Sequence, residues 1–201
     1  MFITCLDLEG VLIPEIWIAI AKRIKIPSLE ITTRDEPDYD KLMKKRIKIL
    51  NSNNISIFDI QNIIKKMHPL PGAKNFLEWL QNVSEIFILT DSYIEFAKPI
   101  VKVLGNYTLF CHNLKVNEKG KILDYKLRLQ NMKKITVQKL RELNYTIIAV
   151  GDSYNDIEML KEADQGILFR PPTRVSNQFS QFPVTFEYNE LKQKIQGIIK
   201  G

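Results

Sequence analysis

Asp7 and Glu9 close an apolar run, Phe2-Ile3-Thr4-Cys5-Leu6, and Gly10 follows them. Residues two apart on an extended chain point to one side, so the two carboxyls would face one crevice. Thr90, Asp91 and Ser92 close a second apolar run that begins at Glu85. A third, from Thr146, ends in Gly151-Asp152-Ser153-Tyr154-Asn155-Asp156. Magnesium takes hard oxygen ligands in near-octahedral geometry and keeps several waters. Asp7, Asp152 and a main-chain carbonyl would satisfy part of that shell and leave room for a phosphate oxygen, with Asp156 holding the metal's waters. Carboxylates so crowded repel one another unless a cation sits among them. A hydroxyl and free backbone N–H groups at 90–92 would make an anion cradle. Lys133, of the pair Lys133-Lys134, would neutralise phosphate charge as a point cation. Each motif alone also has a plainer reading: a strand end stepping into solvent, a helix cap, or a solvated lysine.

The elements that must position these groups follow from periodicity. The three apolar runs suit strands buried on both faces of a parallel sheet. Ligands of such sheets sit beyond the carboxyl ends of the strands, where the acids and hydroxyls fall. Strands alternate with helical patterns at 73–82, 93–104 (with Pro99 a kink), 132–143, 154–163 and 188–199. Short strands are expected at 108–111 and 166–169, and an antiparallel hairpin at 113–127 turning at 117–120. The fold class is therefore α/β, a Rossmann-like doubly wound parallel sheet. Between Pro14 and Pro71 no strand is evident, but helical patterns occupy about 15–23, 39–51 and 56–67. Pro14 suits the first turn of the first. The expected organisation is a core of residues 1–14 and 71–201 with a helical cap, 15–70, inserted after the first strand.

Composition narrows the setting. Of 201 residues 45% are hydrophobic, enough for a real core. Lys and Arg total 29 against 23 acids, a net charge of +6, which suits an anionic ligand but also any basic enzyme. Cys5 and Cys111 lie in apolar runs and are expected as buried thiols in a reducing compartment. The first basic residue is Lys22, unlike a secretory leader. The stretch from Val11 to Ala21 is too short and interrupted to span a membrane. A cytoplasmic protein with no membrane partner is expected.

Asp7-Leu8-Glu9-Gly10, Thr90, Lys133 and Gly151-Asp152-Ser153-Tyr154-Asn155-Asp156 occur in the order of the four motifs of the haloacid dehalogenase superfamily, which the chain resembles. DLEGVLIPEIWIAIA, TTRDEPDYDKLMKKRIKIL, GDSYND and FPVTFEYNELK look like the bifunctional phosphoserine phosphatase/homoserine phosphotransferase family. The resemblance implies that Asp7 is a nucleophile forming an aspartyl-phosphate. It implies magnesium bound by Asp7, the Glu9 carbonyl and Asp152, and phosphoryl contacts from Thr90 and Lys133, with Asn155 nearby. The superfamily usually has Asp two residues after the nucleophile. Here it is Glu9, expected to protonate the leaving oxygen and activate the acceptor. The extra methylene moves that carboxyl by ~1.5 Å.

Residues 41–50, KLMKKRIKIL, carry five basic residues and no acid. At ~100° per residue Lys41, Lys44, Lys45 and Lys48 share one helix side and Leu42, Met43, Ile47, Ile49 and Leu50 the other. Arg46 falls inside the apolar arc. An inward arginine suits a substrate carboxylate or an internal acid, or it snorkels. The resemblance selects the substrate carboxylate, and gives the substrate ammonium to Glu15, which otherwise is a favourable charge in a helix's first turn. The expected substrate-binding set is Glu15, Arg46, Met43, Thr90, Asp91, Ser92 and Asn155. The catalytic set is Asp7, Glu9 and Lys133, and the metal set is Asp7, Glu9, Asp152 and Asp156. The implied substrate is O-phosphoserine, with magnesium as cofactor and homoserine as a second acceptor. The rivals are the same chemistry on another small phosphate ester, which turns on Glu15 and Arg46, and a basic nucleic-acid or polyanion binder without catalysis; residues 41–48 lack interleaved aromatics, so no nucleic-acid partner is expected. His68 and His112 receive no role.

Overall fold

The structure, a computed structural model, describes residues 1–32, 35–36 and 38–201; Thr33, Arg34 and Pro37, within the TTRDEPDYD stretch, lie outside the described residues. A seven-stranded sheet runs through the chain in the order β4-β3-β2-β1-β5-β6-β7. The strands are β1 (Phe2–Leu6), β2 (Glu85–Tyr93), β3 (Thr108–Val116), β4 (Ile122–Lys126), β5 (Thr146–Gly151), β6 (Gln165–Phe169) and β7 (Val184–Thr185). All neighbours pair in parallel except β3 and β4. The expected α/β class holds.

β1 lies between β2 and β5, with Leu6 opposite both Ile88 and Val150. That register carries the ends of the three strands to one edge. Alternation along β1 splits the core into two clusters. Leu6, Ile88 and Val150 face one side, Ile3, Cys5 and Ala149 the other. The first side is covered by α4 (Ala73–Leu80), α5 (Ile94–Leu104) and α9 (Tyr188–Lys200), the second by α6 (Met132–Glu142) and α7 (Ile157–Glu162). Both cysteines are buried free thiols, and burial pushes Cys5 up to about 12 and Cys111 to about 11.

Among the described residues three α-helices separate β1 from α4, namely α1 (Ile16–Ile24), α2 (Tyr39–Ser52) and α3 (Ile57–Ile64), with a single 3-10 turn at Pro27–Leu29. Ile16, Ile20, Met43, Ile47 and Ile60 from these helices belong to the same buried cluster as Phe76 and Phe96. The two chain crossings touch, since the Leu70 N–H donates to the Leu12 carbonyl at 2.9 Å. Tyr188, at the start of α9, packs on Phe76 and Phe169, and its hydroxyl donates to the Val11 carbonyl at 2.6 Å.

Several local expectations change. Pro14 precedes α1, whose N-cap is Glu15. β2 does not stop at Asp91 but continues through Tyr93, and α5 starts at Ile94. The strand at 108–111 and the first arm of the hairpin are one strand, β3, which pairs with β2 on one side and β4 on the other. Pro99 lies inside α5, where it cannot donate to the Glu95 carbonyl. Gln61 of α3 donates there instead, at 3.2 Å. A short helix, α8 (Thr173–Gln178), and strand β7 follow Pro171-Pro172, where no element was expected.

Candidate active site

Asp7 continues the β1–β5 pairing by one bond, its N–H donating to the Val150 carbonyl at 2.9 Å. Asp152 is the first residue after β5. The two carboxyls therefore emerge side by side from adjacent strands. Asp156 joins them, and one oxygen from each of Asp7, Asp152 and Asp156 lies within 4.8 Å of the others. Both glycines of these motifs are required by this crowding. A Cβ on Gly10, which sits at φ +79°, would lie 2.5 Å from an Asp152 oxygen. A Cβ on Gly151 would overlap the Asp156 side chain.

Lys133 enters from the first turn of α6. A cation there opposes the helix dipole, so its placement needs compensation. Its ammonium has three hydrogens and three carboxylates around it. It donates to Asp156 Oδ1 at 2.7 Å and Asp7 Oδ1 at 2.9 Å, and lies 3.3 Å from Asp91 Oδ2. Burial works against the charge, but Asp156, Asp7 and Asp91 hold the ammonium well above its usual range. The second Asp156 oxygen accepts the N–H groups of Asp152 and Ser153 at 3.0 and 3.1 Å. The carboxyl of Asp156 thus organises the loop and the lysine.

One lysine is not enough for this many acids. Burial, then Asp156 and Asp152, hold Asp7 well above the carboxylate range despite Lys133. Burial, Asp156 and Glu15 push Asp152 up to about 7. The site is short of positive charge among hard oxygen donors, which fits a divalent cation such as magnesium.

A cavity of about 270 Å³ opens above the acids, lined by Asp7, Glu9, Glu15, Arg46, Thr90 and Asp152 among others. Glu9 Oε2 accepts the Ile16 N–H at 2.9 Å and so caps α1. Burial and the neighbouring Glu15 carboxylate push Glu9 up to about 8. Arg46 points inward, as its place in the apolar arc suggested. Nη2 donates to the Ile31 carbonyl at 2.6 Å, and the guanidinium lies 4.4 Å above the Trp17 ring. Among the described residues no carboxylate is paired with it, and its Nε is buried without a partner. Burial lowers its pKa below the usual arginine value. A buried, incompletely bonded guanidinium facing a cavity is a receptor for an acidic group.

The other expected residues are distributed unevenly. Thr90, Asp91, Ser92 and Asn155 line the cavity. The backbone at 90–92 is not the open cradle expected, because the Ser92 N–H donates to Thr90 Oγ1 at 3.1 Å. The Asp91 carboxyl faces Lys133 and Asn155 rather than open space, accepting from Asn155 Nδ2 at 2.8 Å. Met43 is fully buried behind Arg46, its sulfur 3.8 Å from Nη1, and is not among the lining residues. Trp17, Ile18, Thr32, Tyr39 and Tyr154 line the cavity unforeseen. The Tyr39 hydroxyl donates to the Asp91 carbonyl at 3.2 Å and lies 2.8 Å from the Tyr93 hydroxyl. Only the aromatic character of Tyr39 at the head of α2 hinted at this. His112 is buried beside Asp91, while His68 is exposed. The basic helix face is partly neutralised, Lys44 pairing with Asp40 at 2.6 Å and Lys41 with Asp38 at 3.6 Å.

The model of the haloacid dehalogenase-like hydrolases matches residues 5–164. The chain belongs to this family. Among haloacid dehalogenase-like hydrolases it is 48% identical to a phosphoserine phosphatase of Pseudomonas syringae pv. tomato, over 96% of this chain and 81% of that one. It is 46% identical to phosphoserine phosphatase ThrH of Pseudomonas aeruginosa, over 96% and 95% of the two chains. The fold superposes on a substrate-bound phosphoserine phosphatase complex with a TM-score of 0.78, at 19% identity over 96% of this chain and 97% of that one. No helix among the described residues is long and apolar enough to cross a membrane.

Proposed function

We propose that this haloacid dehalogenase-like hydrolase is a magnesium-dependent phosphoserine phosphatase that works through phosphorylated Asp7 and also passes the phosphoryl group to homoserine. The observation that carries the reading is the pairing of two receptors in one cavity: Asp7 and Asp152 on the sheet edge, with Lys133 bonded to Asp7 behind them, and the incompletely bonded Arg46 of α2 with Glu15 at the head of α1. Together they match a phosphate at one end and an amino-acid head, carboxylate and ammonium, at the other. The names of the relatives at 46 and 48% identity support the same substrate.

In this reading an Asp7 carboxylate oxygen attacks phosphorus, and the phosphorus–oxygen bond to the serine side chain breaks. Glu9, kept protonated near neutral pH by burial and Glu15, gives its proton to the leaving oxygen. Lys133 and the Thr90 hydroxyl hold the transferring oxygens, and Asn155 supports them. Glu9, now a carboxylate, takes the proton of an incoming hydroxyl, which attacks phosphorus and releases Asp7. Water as acceptor gives phosphate; homoserine in the emptied amino-acid site gives O-phosphohomoserine. Asp7, Asp152 and the Glu9 carbonyl would hold the magnesium ion, with Asp156 fixing their loop. Bound there, magnesium neutralises charge on the crowded oxygens. Residues 15–70 act as the cap that closes on the amino-acid head and limits water.

The test is one incubation with O-phosphoserine and magnesium, with and without homoserine, quantifying free phosphate and O-phosphohomoserine. Phosphate release that disappears in Asp7→Asn is expected. Release at the wild-type rate in that variant, or none from phosphoserine by the wild type, would sink the assignment. Homoserine that yields no phosphorylated product would remove the transferase half alone.

A further inference from the structure

A carboxylate in an anion-binding site needs a reason, and Asp91 has no evident one as a ligand for phosphate. Its charge would repel a phosphoryl group. Its surroundings suggest a different task. One oxygen accepts from Asn155 Nδ2 at 2.8 Å and lies 3.3 Å from Lys133 Nζ. The other faces His112 Nε2 at 3.8 Å. The main-chain carbonyl accepts the Tyr39 hydroxyl. Asp91 thus touches β3, α6, the 153–156 turn and the head of α2 at once.

His112 is itself fixed. It is 4% exposed, and its Nδ1 accepts the Arg128 N–H at 3.2 Å. An acceptor Nδ1 places the proton of the neutral ring on Nε2, the atom that faces Asp91. The backbone is shaped to make this meeting. The β2–β3 register shifts between Leu89 and Tyr93, and pairing resumes at Tyr93 opposite His112. The irregular stretch contains Thr90, Asp91 and Ser92, and such irregularities re-aim side chains next to active sites.

We propose that His112 and Asp91 are positioning residues: His112 orients the Asp91 carboxylate, and Asp91 holds Lys133 and Asn155 where they meet the phosphoryl group. The proposal rests on the phosphatase reading above but concerns only the phosphoryl end of the cavity. Lys133 would otherwise keep two of its three acceptors, Asp7 and Asp156, and could swing about them. With Asp91 the ammonium is held from three sides. Neither His112 nor the Asp91 side chain moves a proton or touches the reacting atoms.

The experiment compares His112→Leu, His112→Gln and Asp91→Asn with wild type, using O-phosphoserine and a generic aryl phosphate. His112→Leu removes the Nε2–H that faces Asp91 at 3.8 Å, whereas glutamine can present its amide nitrogen near the position of Nε2. Asp91→Asn keeps shape and loses charge. A misplaced ammonium should lower kcat roughly 10- to 100-fold on both substrates, with a smaller change in KM for phosphoserine, whose head binds elsewhere. His112→Gln should recover most of the kcat. Binding of inorganic phosphate, followed by calorimetry in the presence of magnesium, should weaken in parallel with kcat. Folded His112→Leu and Asp91→Asn proteins with wild-type kcat would overturn the proposal. So would equal losses in His112→Leu and His112→Gln that follow their thermal midpoints. If His112→Leu fails to fold, His112→Gln and Asp91→Asn carry the same test. A wild type active on the aryl phosphate but not on phosphoserine would refute the substrate, while the aryl phosphate still reports on the pair.

Discussion

Gly10→Ala tests the metal site without replacing any acid. At φ +79° an L residue costs about 1–2 kcal/mol. The added Cβ would also lie 2.6 Å from Asp152 Cγ, where carbon atoms in contact keep about 3.5 Å. The Asp152 carboxyl must therefore retreat by about 1 Å. Magnesium demands ligand distances within about 0.2 Å of ideal, so that retreat removes a ligand. In the wild type, magnesium at a hundred times its Kd should add about 2.7 kcal/mol of stability. For a domain of this size that raises the thermal midpoint by roughly 5–10 °C. In Gly10→Ala the metal-free midpoint should fall by a few degrees, and the magnesium-dependent rise should shrink to under about a third. Phosphate release should drop about 100-fold. Differential scanning fluorimetry with a magnesium titration reads the first two quantities, and a phosphate assay the third. A folded Gly10→Ala enzyme with the full magnesium-dependent rise and wild-type turnover would refute the placement of the cation against Asp152.

Lys133→Met leaves Asp7, Asp91 and Asp156 without their shared cation; breaking a buried pair in this way costs about 3–5 kcal/mol, so thermal unfolding should shift down by roughly 6–20 °C with turnover lost. Arg46→Ala should reduce kcat/KM for phosphoserine far more than for an aryl phosphate, and equal losses on both would remove its carboxylate role. The metal-free protein should lose stability as pH rises from about 4 to about 8. The sign follows from Glu9, raised from the ordinary 4.5 to about 8, and Asp152, raised from 3.8 to about 7. Each binds its proton more tightly when folded, so the stabilisation from that proton is lost as it leaves. Magnesium should flatten this fall, and a pH series of urea midpoints with and without the metal measures it.

What could be read from the chain follows the range of the interactions. β1 and β5 are buried on both faces, so each is a plain apolar run, and the acid that ends it is conspicuous. The inward angle of Arg46 follows from helix geometry alone. The end of β2 was less legible. Its extension through Tyr93 depends on β3, and the pairing shifts register on the way. β7 has two residues, too few for any periodicity. His112 takes its place through Asp91 and Arg128, 21 and 16 positions away, and Tyr39 through Asp91 and Tyr93, 52 and 54 positions away, contacts that local pattern does not encode. Met43 shows the converse. Its spacing put it on the inward face, correctly, but depth along that face decided that it backs Arg46 instead of lining the cavity.

Tyr188 closes on Val11 across 177 residues of chain. The loop that follows Asp7 is thus held by α9 as well as by Leu70, so a segment next to the acids leans on a helix far along the chain. Tyr188→Phe, which removes this bond alone, should therefore loosen the segment carrying Gly10 and lower phosphate release while every proposed acid stays in place.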